Sequence, residues 1–198
     1  TVECIGEVPA ADISQVTATD NCGNVTITFI DDVSDGNTCP EIITRTYQAE
    51  DDCGNTSTCT QTITIGDVTP PTITCPGGVT VECIGEVPAA DISQVTATDN
   101  CGAVTITHLG DVSDGNTCPE IITRTYQAED DCGNTSMCTQ TITIGDITPP
   151  TITCPGGVTV ECIGEVPAAD ISQVTATDNC GAVTITHLGD ASDGNTCP

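Results

Sequence analysis

The stretch EIITRTYQAEDDCGNTSMCTQTITIGD, residues 120–146, decides the fold. Ile122, Arg124, Tyr126 and Ala128 share one parity along its first half. After the turn Asp130-Asp131-Cys132-Gly133-Asn134, Cys138, Ile142 and Ile144 alternate with Thr139, Thr141 and Thr143. A period of two with β-branched residues throughout is the signature of half-buried strands, and Gly and Asn between two such runs mark a turn. The alternation continues outward. Ile73 pairs in parity with Cys75, Val79 and Val81 with Cys83, Val95 with Ala97, and Val104 with Ile106. No window has the spacing of a helix. Several short strands in about 80 residues predict an all-β fold, a disulfide-rich immunoglobulin-like β-sandwich. Arg124 conflicts with the pattern. Either a bulge turns it outward, or it is partly buried against a carboxylate, because a buried Arg needs a partner.

The whole pattern repeats every 79 residues. TVECIGEVPAADISQVTATDNCG begins at Thr1, Thr80 and Thr159. The first two copies differ only by Asn24→Ala103, Phe29→His108, Ile30→Leu109, Asp31→Gly110, Thr58→Met137 and Val68→Ile147. A fixed period of this length means an array of tandem units. The sequences GDVTPP (66–71) and GDITPP (145–150) punctuate it, since paired prolines cannot continue a strand ladder. The boundaries are therefore expected to give a truncated repeat at 1–69, a complete one at 70–148 and a truncated one at 149–198. Half copies at both ends lead us to expect a segment of a longer array.

Fifteen cysteines fall on the same period. The complete copy holds Cys75, Cys83, Cys101, Cys118, Cys132 and Cys138. An even, dense set in a small unit poor in aromatics predicts a disulfide framework and a secreted, extracellular or cell-surface location. Paired knuckles of the zinc type are missing. Cys75 and Cys138 lie on the inward parity of the first and last strands, so we expect a bridge between them. The remaining connectivity stays open among fifteen possibilities for six cysteines.

Twenty-nine acidic residues face two Arg and no Lys, for a net charge of −27. Nucleic acid needs cationic partners, so it is excluded as a ligand. Anionic membrane surfaces are excluded for the same reason, and no apolar run is long enough for insertion. Self-repulsion on this scale favours recruitment of a divalent cation. An active site has no unique constellation here. His108 and His187 are equivalent positions, Phe29 replaces them in the first copy, and no triad can be assembled. We expect no enzyme.

The stretches TPPTITCP (148–155), VTATDNCG (95–102) and ITRTYQAEDDCGNTSMCTQTITIGD (122–146) resemble the HYR (hyalin-repeat) family and its relatives, bacterial immunoglobulin-like tandem repeats of secreted, adhesin-like surface proteins. Tyr126, Ala128, Asp130, Gly133 and Asn134 form the core of the likeness. The resemblance implies a β-sandwich used for extracellular adhesion or as a spacer, without catalysis. Near-identical copies and many cysteines depart from it and point to a toughened polymer.

Calcium is the expected cofactor, because it takes six to eight oxygen ligands from carboxylates, amides and carbonyls. The complete copy offers Asp99 and Asn100 in one turn, Glu129, Asp130, Asp131 and Asn134 in another, and Asp146 at the joint. The first copy offers Asp20, Asp51, Asp52, Asn55 and Asp67, with Glu50 beside them. The resemblance implies calcium in acidic turns next to the linker, and we expect an ion among Asp99, Asp130 and Asp146. DVSDGN (111–116) lacks the spacing of a calcium loop and reads as a turn. Asn24, Asn55 and Asn134 begin glycosylation sequons. The expected function is a stiff, disulfide-stapled, calcium-stabilised extracellular fibre that self-associates. The alternative is the stalk of a surface adhesin whose tip binds a surface or glycan ligand.

Overall fold

The computed structural model describes residues 1–194. The chain is all-β, in tandem β-sandwich repeats, with eleven strands and six three-residue 3-10 turns among the described residues. The first copy supplies β1 (Val25–Ser34), β2 (Glu41–Asp51) and β3 (Thr56–Ile65). The middle copy supplies β4 (Thr72–Thr74), β5 (Val79–Val81), β6 (Thr96–Thr98), β7 (Val104–Ser113), β8 (Glu120–Asp130) and β9 (Thr135–Ile144). β10 (Thr151–Thr153) and β11 (Thr175–Thr177) follow. The strands lie where period-two alternation places them, and Gly supplies the turns. Gly54 and Gly133 have φ of 83° and 84° in the Asp-Asp-Cys-Gly-Asn turn, a left-handed conformation that costs glycine nothing.

Two compact units result. One comprises Thr1–Gly77, Ala90–Val112 and Thr123–Gln140; the other comprises Gly78–Ala89, Ser113–Ile122 and the chain from Thr141 on. Within the first, β1, β2 and β3 form an antiparallel meander, with a register shift between Phe29 and Asp31. β4 pairs antiparallel with β6. Within the second, β5 runs parallel to the end of β9, Val79 opposite Ile142 and Val81 opposite Ile144. The larger sheet has the order β5-β9-β8-β7.

The core is small. Ile122, Ile142 and Ile144 pack with Val79, Val81 and Val87. Ile43, Ile63 and Ile65 do the same in the first copy with Val2 and Val8. Domains of this size bury too little apolar surface to be secure without cross-links. The conflict at Arg124 resolves toward burial. Arg124 Nε and Nη2 donate to Asp111 at 2.9 and 2.8 Å, and Arg45 repeats the fork on Asp32. Both guanidinium groups are 4% exposed, so the pair satisfies a charge that burial would otherwise make costly. DVSDGN is a turn in which Asp114 accepts hydrogen bonds from Asn116 and Ile121.

Among the described residues, four disulfides close the framework. Cys75–Cys138 joins the end of β4 to β9 within one copy. The others run between copies and so lie outside the fifteen pairings that the six cysteines of one copy allow. Cys4 bonds Cys101, Cys39 bonds Cys132 and Cys83 bonds Cys180, at sequence separations of 97, 93 and 97. Each exceeds the repeat period, so each joins one copy to the next. Cys83 shares the parity of Val79 and Val81 in sequence. In the fold it leaves β5 and precedes a 3-10 turn at Ile84–Glu86, which frees it to reach another copy. Cys118 has no partner among the described residues, and neither have Cys22, Cys53, Cys59, Cys154 and Cys162. Cys197 lies outside those residues.

Candidate metal site at the repeat joint

The Asp-Asp-Cys-Gly-Asn turn after β8 is built around Asp130. Its Oδ1 accepts the Cys132 and Asn134 N–H groups at 2.8 and 2.9 Å, and its Oδ2 accepts from Asn134 Nδ2 at 2.9 Å. Burial opposes ionisation of this carboxyl, and the Asn134, Cys132 and Gly133 hydrogen bonds outweigh it and hold the pKa below the usual range. Asn134 Nδ2 also donates to the Asp67 carbonyl at 3.0 Å. Asp67 comes from the GDVTPP joint of the preceding copy and is 8% exposed, as is Asp130.

Asp99 completes the group. Its Oδ1 accepts from the Cys101 N–H at 2.9 Å, while its buried Oδ2 receives no hydrogen bond. The Cys101 N–H favours the charged form. Burial and the carboxylates of Asp67 and Asp130 outweigh it and push the Asp99 pKa up. Ligand atoms of Asp67, Asp99 and Cys101 lie within 4.8 Å of one another. Cys101 is bridged to Cys4 and is not a thiolate, so the available donors are oxygens. A cavity of about 120 Å³ is lined by Asp67, Asp99, Asp130, Asp131 and Glu3. Clustered carboxylates with an unsatisfied buried oxygen suit a hard cation of the calcium class.

The expected set divides in the structure. Asp99 and Asp130 come together, but the third member is Asp67 and not Asp146. The joint aspartate serves the copy that follows it. Asp146 instead groups with Glu82 and Cys180; Asp146 and Cys180 are the counterparts of Asp67 and Cys101, and Glu82 stands in the group where Asp178 would be expected. Asn100 turns away and donates to Glu3 Oε2 at 3.2 Å. Glu129 is exposed on β8, and Asp131 lines the cavity mouth from an exposed position. In the first copy, Asp20 accepts from Cys22 and Asp51 from Cys53 and Asn55 within their own turns, Asp52 accepts the Asn24 N–H from across the sequence, and Asp20, Asp51 and Asn55 line one hollow. The sequons differ as well. Asn24 and Asn55 are exposed, whereas the Asn134 amide is committed to Asp67 and Asp130.

Glu3 and Glu82 escaped the sequence reading. Thr69 Oγ1 donates to Glu3 at 3.0 Å and Thr148 Oγ1 to Glu82 at 2.9 Å, and Asn179 Nδ2 reaches Glu82 at 2.8 Å. The signal was their recurrence beside Cys in Val-Glu-Cys, which period-two parity read only as an outward strand position. Both histidines meet an aspartate three residues on, His187 Nε2 lying 3.0 Å from Asp190. His108 Nε2 meets Asp111 at 2.9 Å, and its ring tilts on Tyr126 at 5.4 Å.

Comparison with known proteins supplies the rest. The family model for the HYR-like domain with 4 cysteines matches residues 1–65 and 71–144. Hyalin of Strongylocentrotus purpuratus is 34% identical over 152 residues. That match covers 72% of this chain and 13% of hyalin, so the chain spans a small part of that relative.

Proposed function

The chain belongs to the family of HYR-like domains with 4 cysteines, and on that premise we propose that it is an extracellular, adhesion-related structural repeat forming a stiff fibre stabilised by calcium. The supporting observation is the joint itself. Asp67 of one copy faces Asp99 and Asp130 of the next, and Asn134 holds the Asp67 carbonyl. A cation there would be shared by two copies and would oppose bending between them. Pro71 beside it is buried, and Asp67 accepts the Thr69 N–H at 2.9 Å, so the joint is packed on its protein side.

In this reading Asp67, Asp99 and Asp130 hold the ion, and calcium supplies positive charge where burial and the neighbouring carboxylates penalise ionised Asp99. No Lys and only two Arg balance 29 acidic residues, and both Arg are committed to Asp32 and Asp111. The role is mechanical, to span distance and present a repetitive surface, with further copies as partners. No helix among the described residues is long and apolar enough to cross a membrane.

Chelation tests the reading. Removing calcium should lower Tm and raise flexibility by scattering or force measurement. A Tm and a stiffness unchanged between calcium and chelator would leave the acidic turns as turns only. Ligand at a hundredfold excess over Kd stabilises by about 2.7 kcal/mol, a shift that calorimetry resolves.

A further inference from the structure

Three disulfides reach further than one period. Cys4–Cys101 and Cys83–Cys180 are the same bridge moved by one copy, and both have a separation of 97. Cys39–Cys132 crosses the same joint as Cys4–Cys101, with a separation of 93. The Gly66–Pro71 joint is therefore spanned by the backbone and by two bridges.

The unpaired cysteines obey the same rule. Cys22 is the counterpart of Cys101, Cys53 of Cys132 and Cys59 of Cys138. Cys118 is the counterpart of Cys39, Cys154 of Cys75 and Cys162 of Cys83. Every one of the six occupies a position that is bridged one period away, and all six are exposed. Moved by one period, the partners of the first three fall before Thr1, and those of the last three after Pro198. Burial, redox chemistry or chance would not sort the six so completely. The repeat geometry does.

We propose that the cysteines form a staggered relay in which each copy is bridged twice to the next, and that Cys22, Cys53, Cys118 and Cys162 are half-bridges whose partner is a further copy of this repeat. Cys22 and Cys53 pair toward the preceding copy and Cys118 and Cys162 toward the following one, while Cys59 and Cys154 are the counterparts of Cys138 and Cys75, whose bridge stays within one copy. Closing each bridge takes two protons and two electrons from a thiol pair. An oxidised low-molecular-weight disulfide such as oxidised glutathione accepts them and becomes two thiols. The consequence is a ladder that survives a backbone cut. Cleavage at the joint would leave both halves covalently attached through Cys4–Cys101 and Cys39–Cys132. This inference stands on the bridges alone and holds whether or not a cation binds.

The test has two arms in a glutathione redox buffer. Non-reducing peptide mapping of the whole chain should give the 4–101, 39–132, 83–180 and 75–138 pairs, with thiol label on the six unpaired cysteines and on Cys197, the counterpart of Cys118. Inserting one more copy of residues 70–148 should add three bridges at the same separations and leave the number of labelled thiols unchanged. Pairs confined to one copy, such as Cys83 with Cys101, would overturn the relay, as would a label count that grows with copy number. In the second arm a protease site is placed between Val68 and Thr69. After cutting, the chain should run as one species without reductant and as two with it. Separation without reductant would overturn the ladder. If that insertion impairs folding, the mapping arm decides on the unaltered chain.

Discussion

Strands β2 and β8 carry the same eleven residues, EIITRTYQAED, and finish in different surroundings. Ala128 and Asp130 are buried in β8, whereas Ala49 and Asp51 of β2 are half-exposed. Their partner strands diverge in the same way. Gln140 is 6% exposed and donates to the Gly77 carbonyl at 2.9 Å, while Gln61 at the equivalent place is exposed. Sequence is constant and surroundings are not. Residues 66–77 cover the β8–β9 end, and no residue of this chain stands one period before them to cover β2–β3. The β8–β9 end is thus completed by Asp67 of the preceding joint together with Cys75 and Gly77 of its own copy.

The largest effect should come from making the middle copy resemble the first at Cys59, which has no bridge. The double substitution Cys75→Ser/Cys138→Ser removes a cross-link of separation 63, and chain entropy gives about 4 kcal/mol for such a loop. Hydrogen exchange should show the loss in β4 and β9 and leave β1–β3 protected. An equal loss in both regions would break the comparison.

Arg124→Ala should cost about 3 kcal/mol, since it strands Asp111 against a partly buried site. Arg45→Ala should cost nearly the same, because the Arg–Asp fork is built within one copy. A large difference between the two, read by denaturant unfolding, would show that the preceding copy also supports this pair.

The smaller test is sharper. Gln140→Ala should cost about 1–2 kcal/mol by leaving the Gly77 carbonyl without its donor. Gln61→Ala should stay within about 0.5 kcal/mol. Equal costs would mean that the two ends do not differ energetically.

Acid separates the joint from the forks. Arg124 beside Asp111, against the cost of burial, lowers that carboxyl to about 2. Its contribution is complete above the unfolded value of 3.8 and is lost as pH falls toward 2. Asp99 is shifted upward, so its sign is reversed. In chelator, stability should rise as pH falls through the range just above 3.8, and Asp99→Asn should abolish that rise. The same variant should lose its response to calcium. A calcium response that survives Asp99→Asn would remove Asp99 from the site.

Most of the fold was legible in the sequence. Alternation at Ile122–Ala128 and Ile142–Ile144 placed β8 and β9. Within the site, Asp99, Asp130 and Asp67 were each recognised as candidates, but their grouping was not. Turn residues announce that a carboxylate is free to face outward; they do not say which neighbour it meets. The parity of Cys83 misled for the same reason, since alternation reports a side chain's face only while the strand lasts, and the strand ends at Val81.

The sequence by itself determined that this protein is a repeated, acidic, cysteine-rich β array, because period, charge and alternation are local properties of the chain. Only the tertiary structure decided that copies share what they need. Cys4 meets Cys101, and Asp67 meets Asp99 beside a cavity that Asp130 also lines, across separations that no local pattern encodes. In an array of near-identical copies, a cysteine or aspartate has the same letters around it in every copy. Which copy supplies its partner is settled by where the joint carries the chain.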